Sequence, residues 1–311
     1  MIRIVFMGNA EFGVPTLMSL YEKYDIVTVV TNPDSQKGRG RKLEPSPVKI
    51  VAKELELDVL QPVDLKDPEF IKELKECKAD LFFVIAFRIL PREVYTIPPM
   101  GTVNLHASLL PDYRGAAPIN WAVINGEEYT GLTTFYIDKK IDTGDIILTE
   151  TVSIGSEETA GELAARMKET GAALALKTVE MIEKGNARGE KQPLTGKRPA
   201  PKLHKKDGLI DWSNDARKIH NQIRGMNPAP GAYIQSSKGF LKIHRTKIVE
   251  EHSTEPAGII TMSSPKEGFV VSCGRGSLNI LAIQPPGKKV MDGASFVRGY
   301  RIEKGMNVCE L

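Results

Sequence analysis

Asn104 and His106 stand two positions apart in "TVNLH", an otherwise apolar, strand-like run that leads into the turn "SLLPDYRG". Side chains alternate along a strand, so the two share a face and point together at the strand's end. A buried histidine by itself is most often a satisfied structural residue. Beside an asparagine it becomes one of two donors able to stabilise an oxyanion, and the imidazole can also carry a proton. The part missing from such a site is a carboxylate. "FYIDKKIDTGDIIL" supplies Asp138, Asp142 and Asp145 on a loop between two strand-like runs. Asp and Gly in such loops ordinarily serve turn chemistry. Asp142 stands out in "IDTGD", where Gly144 lets the chain approach a site closely. A carboxylate beside an imidazole favours its charged, donating form.

These residues need a scaffold that brings strand ends together. "IRIVFMG", "DIVTVVTN" and "ADLFFVIAF" read as buried strands, and they alternate with helical patterns over Phe12–Tyr24, Pro47–Leu57 and Asp67–Cys77. The last has start chemistry, with Asp67 as N-cap and Pro68 at the first helical position. This alternation predicts an α/β fold, a doubly wound, mostly parallel, Rossmann-like sheet with right-handed crossovers and ligands beyond the carboxyl ends of its strands. A further helix is expected from Thr159 to Lys184, opened by the capping box Thr159 to Glu162 and closed by Gly185. The glycines of "MGNAEFG", Gly8 and Gly13, are spaced G-x-x-x-x-G rather than G-x-G-x-x-G, and no Lys-Ser/Thr pair follows. Nicotinamide binding thereby loses its main support, leaving a tight turn into the first helix.

The 311 residues suffice for two domains. We expect a catalytic domain over 1–187, a basic linker over 188–206 with three prolines, and a C-terminal domain over 207–311. After a short helix from Ser213 to Arg224, the last of these carries five strand-like runs, "GAYIQ", "GFLKIHRTKIV", "AGIITM", "GFVVSCG" and "SLNILAIQ". Five short strands in that length predict a small OB-like barrel. Lys and Arg number 21 against 28 Asp and Glu in 1–187, 7 against 1 in 188–206, and 14 against 10 in 207–311, giving balances of −7, +6 and +4. The basic strap is either a solvated linker or part of a polyanion-binding surface. With 41% apolar and 26% charged residues, no membrane-length apolar run and too short an apolar run for a signal peptide, a cytoplasmic globular protein is expected. Cys77, Cys273 and Cys309 are too few and scattered for a disulfide framework or a cysteine metal site.

"NLHASLLPDYRGAAPINWAV" followed by "IDTGDI" resembles the signature of the folate-dependent formyltransferases, and the "SLLP-x-YRGAAPI" form resembles the branch acting on methionyl-tRNA. With "PSPVK" and "DWS" the likeness extends over nearly the whole chain. It implies metal-free formyl transfer from 10-formyltetrahydrofolate to the α-amine of methionine on initiator tRNA, by a monomer acting away from membranes. Asn104, His106 and Asp142 match the family's catalytic trio. Ser108, Leu109, Leu110 and Pro111 would shape the folate-side wall, and Ile85, Ala86 and Phe87 would offer backbone groups to the pterin. Arg88 departs from the family, which often has Gly there. In "DSQKGRGRKLEPSPVK", Lys37, Arg39, Arg41 and Lys42 surround two glycines. The family's equivalent loop reaches into the tRNA acceptor stem, with Arg39 at its key arginine, and Lys202, Lys205 and Lys206 match linker positions along the tRNA path. Phosphate contacts need only positive charge on an adaptable backbone.

Three other readings compete. A formyltransferase for a small-molecule amine would keep the trio but leave the basic loop, linker and barrel without a role. A non-catalytic RNA-binding protein would use those charges and leave the trio unexplained. A dehydrogenase would use the sheet but lacks the glycine fingerprint.

Overall fold

A computed structural model describes residues 1–37, 42–193, 198–236, 239–250 and 255–311. The first part of the chain runs β1 (Arg3–Gly8), α1 (Val14–Tyr21), β2 (Asp25–Val30), β3 (Ser35–Lys37), β4 (Lys42–Glu44), α2 (Pro47–Glu54), β5 (Val59–Leu60), α3 (Pro68–Glu76), β6 (Leu81–Ile85), α4 (Arg92–Tyr95), β7 (Thr102–His106) and β8 (Arg114–Gly115). There follow α5 (Pro118–Ile124), β9 (Tyr129–Tyr136), β10 (Ile146–Ser153), α6 (Ala160–Glu183), β11 (Pro199–Ala200) and α7 (Ala216–Gly225). The last stretch holds β12 (Ala232–Ser236), β13 (Gly239–Glu250), β14 (Ile260–Ser264), β15 (Gly268–Ser272), β16 (Ser277–Gln284), β17 (Met291–Asp292) and α8 (Gly293–Tyr300). The chain divides into two compact units. One is Met1–Gly115, Thr130–Val152 and Ala164–Pro199; the other is Ala116–Tyr129, Ser153–Leu163 and Ala200–Leu311.

The first unit is built on a seven-stranded sheet of order β10-β9-β7-β6-β1-β2-β5. Its β7, β6, β1, β2 and β5 are parallel and β9 runs antiparallel to β7. Phe6, Phe82, Phe83 and Phe135 are fully buried, and β6 is buried at every position. Burial on both faces is what the uninterrupted apolar runs require. Helix starts follow their sequence signals. Asp67 accepts from the Glu69 N–H ahead of α3, and Ser46 accepts from the Lys49 N–H ahead of α2. Thr159 and Glu162 close their capping box ahead of α6 at 2.9 and 3.2 Å. The chain turns through a short 3-10 segment at Glu11–Gly13, so α1 begins at Val14 rather than Phe12.

Strand order reverses between β1 and β6, and in open α/β sheets such a switch point is where ligands meet the carboxyl ends of the strands. Gly8 pairs with Ile85 there, and a Cβ on it would lie 3.0 Å from the Phe6 ring and 3.1 Å from the Ile85 carbonyl. Asn9 Oδ1 accepts from Thr31 Oγ1 at 3.0 Å and from the Asn32 N–H at 2.7 Å. The glycine-bearing stretch after β1 thus serves the local turn chemistry.

The second unit carries an antiparallel sheet of order β12-β13-β16-β15-β14, with β17 on β16. Its core gathers Trp212, Ile219, Ile223, Ile234, Leu241, Phe269, Ile280 and Phe296. Helix α7 starts at Ala216, where the Asp215 carboxylate caps the Lys218 N–H at 2.7 Å. Helix α8, absent from the sequence expectation, is capped by Asp292 on the Ser295 N–H at 2.7 Å. Helices α5 and α7 meet where Gly225 leaves no room for a Cβ, which would come within 2.4 Å of Ile124 Cγ1. Among the described residues, no helix is long and apolar enough to cross a membrane.

Candidate active site

His106 ends β7, and its ring is buried to 7% exposure. Its Nε2 lies 2.8 Å from the Tyr113 carbonyl, an acceptor, so Nε2–H donates. The other ring nitrogen, Nδ1, faces Asp142 Oδ2 at 3.9 Å. This separation is ion-pair range and too long for a hydrogen bond. With Nε2–H committed, a proton on Nδ1 makes an imidazolium beside the carboxylate. Asn104 is on the same face of β7, half-buried, and among the described residues no group hydrogen-bonds its amide.

The Asp142 loop is tightly built. Asp142 adopts φ 53°, left-handed for a residue with a Cβ, at a cost of about 1–2 kcal/mol. Its Oδ2 accepts from the Gly115 N–H at 2.9 Å, which aims the carboxylate. Asp138 accepts from the Lys140 N–H at 3.0 Å and from Thr143 Oγ1 at 2.7 Å, so it shapes the loop. At Gly144 a Cβ would meet the Tyr136 carbonyl at 1.6 Å; only glycine fits.

Next to this pair, the stretch after β7 is pinned to β9. Thr133 Oγ1 donates to the Ser108 carbonyl at 2.7 Å and accepts from the Leu110 N–H at 3.2 Å. Ser108 Oγ donates to the Asp112 carbonyl at 2.7 Å, and the Leu110–Pro111 peptide bond is cis. Leu109 packs on Gly131, where a Cβ would come within 2.4 Å of its side chain. At the end of β6, Ile85 is buried, Ala86 is exposed with φ 46°, and Phe87 carries the Arg88 guanidinium 5.3 Å from its ring centroid. Arg88 is half-buried. Its two terminal nitrogens donate to the Val63 and Pro62 carbonyls at 2.9 and 2.7 Å, and burial lowers its pKa.

Residues 2–179 match the family described as formyl transferase, and residues 202–301 match its C-terminal domain. The chain belongs to the formyl transferase family. It is 46% identical over 307 residues to a methionyl-tRNA formyltransferase of Clostridioides difficile, covering 98% of this chain and 99% of that protein. With a methionyl-tRNA formyltransferase of Porphyromonas gingivalis it shares 44% identity over 317 residues, covering 99% and 98%. Among solved structures, an N-formyltransferase of Helicobacter canadensis in complex with folinic acid and dTDP-3-aminofucose superposes with a TM-score of 0.67 at 22% identity. That likeness covers 92% of this chain and 99% of the other and speaks to the fold.

In this formyl transferase, the basic residues are placed as follows. Lys37 and Lys42 are register partners at the end of β3 and the start of β4, while Arg39 and Arg41 lie outside the described residues. The hairpin base is anchored by Lys49, whose Nζ donates to Asp34 at 2.8 Å and to Gln61 Oε1 at 2.6 Å; the Lys49 hydrogen bond is the main cause holding the Asp34 carboxyl below its ordinary value. Lys202 and Lys206 are exposed, and Lys205 Nζ sits 3.9 Å from the centroid of the Phe240 ring. Among the described residues no group of three or more His, Cys, Asp or Glu is arranged to hold a metal ion. The sequence reading missed the Tyr113 carbonyl, the Gly115 N–H and Thr133. Two of these act through the backbone, which carries no residue-type signal.

Proposed function

We propose that the chain transfers the formyl group of 10-formyltetrahydrofolate to the α-amine of methionine on initiator methionyl-tRNA, yielding formylmethionyl-tRNA for translation initiation in the cytoplasm. The observation that carries this reading is the Nδ1 to Oδ2 approach of 3.9 Å at the end of β7, with the Asn104 amide on the same strand face. Full-length identity to methionyl-tRNA formyltransferases supports the choice of acceptor.

In this mechanism the neutral amine attacks the formyl carbon. As the C–O double bond becomes a single bond, the oxygen takes up negative charge, which the Asn104 amide and the protonated Nδ1 of His106 stabilise. Asp142 holds the imidazolium and accepts the proton shed by the amine. That proton passes, directly or through a water, to N10 of the folate as the C–N10 bond breaks. The products are an N-formyl amine and tetrahydrofolate, and each proton is accounted for. Ser108 to Pro111 line the folate side, and the backbone at Ile85, Ala86 and Phe87 meets the pterin.

The second unit binds tRNA in this reading, as a barrel of the oligonucleotide-binding kind. Lys202, Lys205, Lys206 and the loop bearing Lys37, Arg39, Arg41 and Lys42 supply phosphate contacts. The decisive assay incubates the protein with 10-formyltetrahydrofolate and either methionyl initiator tRNA or free methionine. Formylation of the charged tRNA, and not of free methionine, is expected. Product from a small amine alone would move the protein to the small-molecule branch of the family.

A further inference from the structure

Gln192 lies beyond the last sheet helix, in a stretch read from sequence as a basic linker, yet its side chain is half-buried against the Asp142 loop. Its Nε2 donates to the carbonyls of Asp142 at 3.0 Å and Gly144 at 2.8 Å. Its Oε1 accepts from Arg114, at 3.2 Å from Nε and 2.6 Å from Nη2. The guanidinium only donates and the two carbonyls only accept, so the amide can sit in one orientation, with both its hydrogens and both its lone pairs used. We propose that Gln192 is a positioning residue for Asp142: it holds the strained turn that presents the carboxylate to His106. The proposal rests on the formyl-transfer reading of that pair.

Neighbouring residues of the same stretch brace the loop from the same side. Ile146 and Glu190 exchange two backbone hydrogen bonds of 2.7 and 2.8 Å. Gly189 packs so tightly that a Cβ would lie 2.7 Å from Asp145 Cβ. The Arg198 carbonyl accepts from the Tyr113 N–H at 2.6 Å, and the Tyr113 carbonyl is the one that receives His106 Nε2–H. The stretch therefore touches the supports of both members of the pair. Asp142 needs such bracing because a left-handed, non-glycine conformation persists only where its surroundings over-determine it. Without the amide, the carbonyls of residues 142 and 144 lose their shared donor. The turn then relaxes, and the carboxylate moves away from Nδ1. Misplacement of a reacting group by about 1 Å can cost on the order of 100-fold in rate.

The test uses the full-length protein and two substitutions that keep the side chain's size, Gln192→Met and Gln192→Glu. Methionine removes the donors; glutamate puts a carboxylate where two carbonyls need a donor. Both are expected to lower the single-turnover formylation rate at saturating substrates by roughly 10- to 100-fold. Affinities for 10-formyltetrahydrofolate and methionyl-tRNA should stay within about twofold, because the Gln192 amide already spends its hydrogens on the Asp142 and Gly144 carbonyls and its oxygen on Arg114. In an Asp142→Asn background, Gln192→Met should cost less than about twofold more, since residues acting as one unit are non-additive. Wild-type rates in either variant, fully additive losses in the double variant, or failure of both variants to fold would each overturn the proposal. Absence of transfer by the wild-type protein would instead overturn the formyl-transfer reading, so the two failures are separable.

Discussion

His106 meets its surroundings through two nitrogens with different duties: Nε2 is committed to the Tyr113 carbonyl at 2.8 Å, and Nδ1 faces Asp142 across 3.9 Å. At that separation a proton on Nδ1 gives an imidazolium within ion-pair range of the carboxylate. Removing the proton carrier by His106→Ala, or the charge by Asp142→Asn, should lower turnover by roughly 100-fold or more, the range for an acid–base group or oxyanion donor. Binding of methionyl-tRNA should remain close to wild type. A well-folded variant that turns over at the wild-type rate would strike its residue from the mechanism. Alternation along a strand puts Asn104 and His106 on one face, and Gly144 marks the loop that brings a carboxylate near. The Tyr113 carbonyl left no trace in sequence, because every residue type offers the same carbonyl.

At the scale of elements, helix α7 of the second unit buries a titratable group that the proposed mechanism does not use. His220 is buried, with Nδ1 2.9 Å from Thr246 Oγ1 and Nε2 3.4 Å from the Ser156 carbonyl. Burial lowers its pKa below the ordinary 6.5; Glu157, 3.7 Å away, opposes that shift, and Arg224 and Arg217 add to it. A base whose folded-state pKa is depressed takes up its proton more readily when unfolded. Stability is then fully present above the unfolded value of 6.5 and is lost as pH falls below it, toward the folded-state value. The urea midpoint of the wild-type protein should drop between pH 7.5 and pH 5.5 by more than that of His220→Gln. Parallel pH profiles for the two proteins would show that His220 does not contribute.

For the whole molecule, the charge balance of −7 over 1–187 against +6 and +4 over the rest matters for a polyanionic partner. If the basic residues contact phosphates, log affinity for tRNA should fall linearly with log salt. Each contact removed, as in Lys202→Ala or Lys206→Ala, should flatten the slope by roughly 0.7 to 0.9. Arg39→Ala should differ from Lys37→Ala by slowing the single-turnover rate as well, since a loop placed at the acceptor end would position the methionyl amine. An Arg39→Ala protein with a small, salt-sensitive affinity change and an unchanged transfer rate would reduce the loop to a diffuse electrostatic contact.

Local order was legible in the sequence because it is decided within a few residues. Asp67 and Pro68 start α3, Thr159 and Glu162 start α6, and the period-2 pattern of "TVNLH" sets which side chains share a face. The apolar runs likewise announced a sheet buried on both sides, and the signature motifs announced the family. Tertiary structure alone decided contacts between segments far apart in sequence. Gln192 reaching the Asp142 and Gly144 carbonyls, Gly115 N–H meeting the Asp142 carboxylate, and Gly225 admitting Ile124 are pairings of this kind. A glutamine, a glycine and a backbone N–H are common everywhere in a chain. What makes these particular ones matter is the position of a partner, and that is set only when the sheet and its loops close around them.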